Sequence, residues 1–254
     1  LIPACVNSGG PGSIVRLAVV PTLETALPLP AEARTALAAW RARPGAILTV
    51  VDPQQTCFRA RLVAEGEEWQ LVPFQRLSRQ AESGVALEVY HALPEKERFE
   101  LVLQKLTELG AVRIVPIISR RSATLAERDA GQKKSHRWPE VVLRAARQCR
   151  RAMLPELTAV ADWPSAIRAA AAAEMRLMLY EGEGTWGLDE AIGRQRPARV
   201  SLLVGPEGGF APEEVEEARQ LGFLQVSLGP RILRTETAAI AAAAVLQYAL
   251  GDLR

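Results

Sequence analysis

Cysteine, histidine and lysine are all scarce in this chain of 254 residues. The three cysteines, Cys5, Cys57 and Cys149, form no C-x-x-C pair, so they build neither a disulfide framework nor a zinc knuckle. The two histidines, His91 and His136, stand too far apart for a shared metal cluster, and no metal is expected. No apolar run approaches the roughly 18 residues of a membrane span. The nearest, Ala238 to Leu246, is mostly alanine and stops at Gln247. The opening Leu1 to Val6 carries no basic residue and is too short for a signal-peptide core, so a cytoplasmic protein without a membrane partner is expected. A Walker lysine motif and the G-x-G-x-x-G fingerprint are both missing, which disfavours a nucleotide-phosphate enzyme.

What is present is ordinary in amount and uneven in distribution. Hydrophobic residues make up 48% and charged residues 24%, the composition of a folded protein, and the length allows one large domain or two small ones. Net charge is only +2, yet Lys96 to Arg151 holds 14 basic against 6 acidic residues, the footprint expected for a phosphate backbone. Within it, Arg144, Arg147 and Arg151 fall at i, i+3 and i+7 on a helix read over Ser135 to Met153. Such a stripe without interleaved acids favours an anionic partner over a merely solvated face. Cys149, inside it, reads as packing.

Three segments emerge along the chain. Residues 1–13, with Gly10-Pro11-Gly12-Ser13, read as a leader outside the fold, either a tag or disordered. Residues 14–87 are short β-rich runs broken by turn signals, with one helix over Pro30 to Arg41, which predicts a small β-barrel. Residues 88–254 alternate strands with helices, which predicts an α/β domain with a mostly parallel sheet. Its strands are read at Val85–Tyr90, Val112–Ile118, Met175–Tyr180, Val200–Val204 and Gln225–Leu228.

Two loops in that domain carry candidate chemistry. Leu203-Val204-Gly205-Pro206-Glu207-Gly208-Gly209-Phe210 runs from a strand through a glycine-rich loop, and Pro212 then opens a helix. Ser227-Leu228-Gly229-Pro230-Arg231-Ile232-Leu233-Arg234-Thr235-Glu236-Thr237-Ala238 is a strand end, an arginine-bearing loop and a helix start. Taken alone, each is also compatible with a tight turn or a capped helix. Both lie at carboxyl ends of strands, where open α/β sheets bind ligands. His91 and His136 stand outside both loops and are not expected to catalyse.

These two motifs, with Gln104-Lys105-Leu106-Thr107-Glu108-Leu109-Gly110, Ser119-Arg120-Arg121-Ser122 and Gln148-Cys149, resemble the small-subunit rRNA uridine-N3 methyltransferases of the SPOUT superfamily (RsmE type). The resemblance runs in order over about residues 16–250. It implies a PUA-like N-terminal barrel, a C-terminal SPOUT domain tied in a deep trefoil knot, S-adenosylmethionine as methyl donor, a homodimer, and 16S rRNA or the small ribosomal subunit as partner. It places the donor on Leu179, Leu203, Gly205, Pro206, Glu207, Gly208, Gly209, Leu228, Gly229, Ile232, Leu233 and Thr237. Departures from the family pattern stand at Thr35, Ala46, Arg144, Arg147 and Arg150, the last three adding positive charge.

Uracil N3–H is a weak acid, so methylation there needs a proton acceptor and a cation near the anionic base. A permanently charged guanidinium suits the second role. Arg234 is the first candidate for it. Glu207 or Glu236 would take the proton or orient the arginine, and Glu236 reads equally well as a helix cap. Candidate RNA contacts are Arg41, Arg120, Arg121, Arg144, Arg147 and Arg151. The rival readings are a SPOUT methyltransferase for another RNA position and a non-catalytic RNA-binding assembly factor.

Overall fold

The computed structural model describes residues 5–66, 68–94, 98–122 and 137–253. The expected helix start at Ser135 and His136 itself lie outside the described residues. The N-terminal part is a five-stranded curled sheet. Its strands are β1 (Val15–Arg16), β2 (Leu27–Pro28), β3 (Ile47–Val51), β4 (Cys57–Glu65) and β5 (Glu68–Arg76), in the order β1-β3-β4-β5-β2. The antiparallel β4–β5 hairpin turns over Gly66, whose φ of 61° suits a residue without a side chain. Helix α1 (Ala33–Ala39) covers the sheet with Ala33, Ala36 and Leu37.

The C-terminal part is a parallel sheet. It comprises β6 (Ala86–Ala92), β7 (Arg113–Ile118), β8 (Glu156–Leu157), β9 (Ala161–Asp162), β10 (Met175–Leu179), β11 (Trp186–Gly187), β12 (Arg199–Val204) and β13 (Leu224–Ser227). The order is β11-β13-β10-β12-β6-β7-β8, with β9 also on β7, and every pairing is parallel. Buried apolar clusters lie on both faces, which is why these strands read as nearly continuous hydrophobic runs. The remaining helices are α2 (Arg98–Glu108), α3 (Trp138–Gln148), α4 (Trp163–Ala170), α5 (Leu188–Ile192), α6 (Pro212–Gln220) and α7 (Thr235–Leu250).

Local chemistry explains the boundaries that matter for the site. In α2, Phe99, Val102, Leu103 and Leu106 recur at helical spacing and are fully buried. In α6, Glu214 accepts from the Ala211 N–H at 2.8 Å, closing a cap, and also from the Arg120 N–H at 2.9 Å, tying the loop after β7 to this helix. Helix α3 stops at Gln148, five residues short of the expected Met153. Arg150 there takes a φ of 59°, which reverses the chain.

Two arrangements follow from packing over long sequence distances. Leu143, Ala146 and Leu154 complete the core under the N-terminal sheet, so α3 joins the two parts. Residues 5–13, set aside above as a leader, run along residues 154–157: Asn7 donates to the Pro155 carbonyl and accepts from the Leu157 N–H, both at 2.9 Å, and Cys5 is buried in the C-terminal core.

Candidate active site

The loops after β10, β12 and β13 leave the same edge of the parallel sheet, because parallel strands put all their carboxyl ends on one side. They converge on a cleft of about 650 Å³. Leu179, Val204, Val226, Leu228 and Leu233 give it apolar walls, and Gly205 to Gly209 line it with a glycine-rich stretch of backbone. Two of these glycines are required. A Cβ at Gly205 would lie 3.2 Å from the Phe210 ring, and Gly209 holds a φ of 67° that side chains rarely adopt. The start of α7 closes the cleft from below, where the Thr235 hydroxyl donates to the Gly205 carbonyl.

Beneath Thr235 sits His91, at the end of β6 and fully buried. Its Nδ1 lies 2.6 Å from the Ala92 carbonyl oxygen and its Nε2 3.4 Å from Thr235 Oγ1. Burial pushes its pKa down to about 4, against opposing effects from these hydrogen bonds and from Glu207 and Glu236. The imidazole is therefore a neutral scaffold group at neutral pH. Arg121 leans across Gly208 and donates to its carbonyl at 3.0 Å. Arg231 and Arg234 line the other side, both exposed, and their side chains make no hydrogen bond or ion pair among the described residues.

A cleft with apolar walls, a glycine-rich backbone rim and two arginine side chains unpaired among the described residues suits a flat, partly charged ligand beside an anionic one. Residues 81–247, most of the chain and all of this cleft, match the RNA methyltransferase domain family. The ribosomal RNA small subunit methyltransferase E of Buchnera aphidicola (subspecies Schizaphis graminum) is 30% identical over 187 residues, covering 72% of this chain and 74% of the relative. The enzyme of the same name from Bacillus subtilis is 33% identical over 175 residues, covering 66% and 68%. This chain belongs to the ribosomal RNA small subunit methyltransferase E family.

Solved structures agree with that membership in the family. A methyltransferase of Legionella pneumophila in complex with SAM aligns with a TM-score of 0.66 and 32% identity, covering 94% of this chain and 98% of that one. The ribosomal RNA small subunit methyltransferase E of Neisseria gonorrhoeae bound to S-adenosyl methionine gives the same TM-score and coverage at 28% identity.

In this methyltransferase, the cleft gathers eleven of the expected donor and catalytic residues: Leu179, the run Gly205 to Gly209, Leu228, Gly229, Ile232, Leu233 and Arg234. Three others lie elsewhere. Leu203 points to the opposite face of β12, into the core with Tyr90 and Phe210, and its neighbour Val204 takes the wall. Thr237 is exposed on α7 outside the cleft lining. Glu236 is buried behind the cleft. The loop after β10, with Tyr180 and Glu181, was missed, because nothing in the sequence sets it apart from an ordinary strand end.

The arginines expected on RNA divide sharply. Arg151 does not reach solvent: its side chain is 4% exposed, paired with Glu82 at 2.6 Å and donating to the Thr107 and Ala111 carbonyls. The early end of α3 removes it from the stripe, so its assignment to RNA is corrected to a structural one. Arg147 is exposed on α3, yet its head donates to the Trp40 and Arg41 carbonyls and so joins α3 to the end of α1. Arg41 and Arg144 share Glu140, and Arg120 meets Glu213 at 3.3 Å, all at the surface. Arg121 belongs to the cleft. Among the described residues no group of three metal-ligating side chains forms, and no helix is long and apolar enough to cross a membrane.

Proposed function

We propose that this chain methylates N3 of a uridine in 16S rRNA of the small ribosomal subunit, with S-adenosylmethionine as donor, as a cytoplasmic homodimer. The observation that carries the reading is the convergence of Gly205–Phe210 and Leu228–Arg234 in one cleft, in a chain whose relatives are named as methyltransferases of small-subunit ribosomal RNA and whose structural neighbours hold S-adenosylmethionine. The residues present fit that donor. Leu179, Val204 and Val226 suit the faces of an adenine, and the left-handed backbone at Gly209, open to glycine, leaves room that a side chain would fill. The donor supplies a sulfonium methyl group, an electrophile whose transfer needs alignment more than acid catalysis.

The protein's own groups would handle the uracil. Arg234, exposed at the cleft without a partner among the described residues, offers a cation to the deprotonated N3. Glu207 lines the cleft and Glu236 lies behind it, which favours Glu207 over Glu236 as the acceptor of the N3 proton. The target base has to be unstacked to enter. The strand order β13-β10-β12-β6 and the return of the chain from β13 to Gly205 through Thr235 support the knot. Exposed Tyr248 and Val245 on α7, with Ile232 82% exposed, support the homodimer.

Nucleoside mass spectrometry of 16S rRNA, with and without the gene, tests the reading. Loss of 3-methyluridine and its restoration by the purified protein are expected. A different missing methylated nucleoside would move the reading to another RNA position. Donor binding without any methyl transfer would leave an assembly factor.

A further inference from the structure

Arg98, the first residue of α2, reaches two carboxylates that belong to different cleft loops. Its Nη1 lies 3.4 Å from Glu207 Oε1, and its Nε lies 3.9 Å from Glu236 Oε1. Glu207 lines the cleft, and Glu236 sits in the first turn of α7, two residues beyond Arg234. Glu236 is 8% exposed, and its Oε2 is buried without a hydrogen-bond partner among the described residues. Two carboxylates so close to one guanidinium would repel each other in its absence, because like charges at short range disfavour joint ionisation. The next residue fixes where Arg98 stands: Phe99 is fully buried, its ring 4.7 Å from Trp138 and 5.7 Å from His91.

We infer that Arg98 is a positioning residue for the methyl-transfer site, holding Glu207 at the cleft and the Arg234-bearing start of α7 in fixed relation. The inference rests on the function proposed above. Nothing in the sequence pattern singles Arg98 out, since its partners lie 109 and 138 positions away. The alternative is an ordinary surface ion pair. Its side chain is 42% exposed and both distances are long, so its contribution to folding is small. A role in alignment is different, because misplacement of about 1 Å costs up to a hundredfold in rate.

The full chain carrying Arg98→Met or Arg98→Lys separates the two. Arg98→Met is expected to lower kcat by about tenfold to a hundredfold, with KM for S-adenosylmethionine changed less than about twofold. Hydrogen exchange is expected to quicken at the Gly209 amide, bonded to the Pro206 carbonyl, and at the Ala238 amide, bonded to the Arg234 carbonyl. Arg98→Lys keeps the charge and should recover most of both. A kcat within about twofold of wild type, or unchanged exchange at both amides, overturns the inference. If the wild-type chain itself fails to methylate rRNA, the proposed function falls, and the exchange comparison alone still decides whether Arg98 holds the two segments.

Discussion

Between Arg144 and Arg151 four guanidinium groups lie within eight residues, and three of them have partners within the chain. Arg144 pairs with Glu140, Arg147 caps the carbonyls at the end of α1, and Arg151 is enclosed with Glu82. Arg231 and Arg234, two arginines in the six-residue loop from Gly229 to Arg234, have exposed side chains without partners among the described residues. The difference comes from backbone. The reversal at Arg150 turns the next side chain inward, whereas the loop from Gly229 to Arg234 runs along the open edge of a sheet and has nothing beneath it but the cleft. Charge density shows where arginines are, and the local chain direction decides whether they are available.

The strongest way to break this contrast is to remove Arg151. If it is structural, Arg151→Met leaves the partly buried Glu82, its side chain 21% exposed, with only the Ala152 and Met153 amides as partners. Breaking a buried pair in this way costs about 3 kcal/mol or more, and Tm should fall by roughly 6–12 °C for a chain of this size. Thermal unfolding checks it. An unchanged Tm together with weaker RNA binding would return Arg151 to the RNA set.

The counterpart is Arg234. Arg234→Ala should leave Tm unchanged and lower the single-turnover rate by about two to three orders of magnitude, the loss of one preorganised stabilising group. Arg234→Lys keeps the charge without the planar fork and should fall between the two. A loss confined to donor affinity, measured by calorimetry, would move Arg234 from the reacting base to the donor.

How much of this was legible in the sequence follows the same division. The alternation after residue 88 disclosed a parallel α/β sheet, the apolar spacing of Phe99, Leu103, Leu106 and Leu109 disclosed α2, although Leu109 is only partly buried, and the glycine loops at strand ends marked the cleft. Each of these signals is local. What escaped depends on distant partners. Arg151 meets Glu82 across 69 positions, and Asn7 meets Pro155 across 148. Leu203 and Val204 are equally apolar, so only the neighbouring strands determine which of them faces the cleft. The two-residue strands β8, β9 and β11 are too short to carry any period.

His91 sharpens the comparison from below the cleft, since it is a buried group that must stay uncharged. Its pKa of about 4 lies below the ordinary 6.5, so the unfolded chain binds a proton between those values that the folded chain does not. Its contribution is complete above pH 6.5, falls as the pH drops, and is lost below pH 4, a change of roughly 3 kcal/mol. His91→Asn, which keeps a donor for the Ala92 carbonyl, should flatten the denaturation midpoint across that window. An equal slope in both proteins would show that the acid sensitivity comes from the carboxylates instead.

The smallest effect expected is at Arg144. Its side chain is 72% exposed, and its partner Glu140 is shared with Arg41. An exposed pair one turn apart on a helix is worth about 0.3–0.5 kcal/mol, so Arg144→Ala should scarcely move Tm. Its meaning lies in RNA binding. Were all three arginines of the expected stripe on phosphates, replacing Arg144, Arg147 and Arg151 together would flatten the salt dependence by three contacts. With Arg151 enclosed and Arg147 held by two carbonyls, only Arg144 keeps a mobile head, and it must first leave Glu140. The log–log slope of RNA affinity against salt should therefore change by no more than about 0.7–0.9, one phosphate, in Arg144→Ala. Arg147→Ala should leave that slope alone while loosening the junction between α3 and α1. A slope change of two contacts or more across these two variants would show that RNA draws Arg147 away from the Trp40 and Arg41 carbonyls, and the contrast between the two arginine regions would then hold only for the free protein.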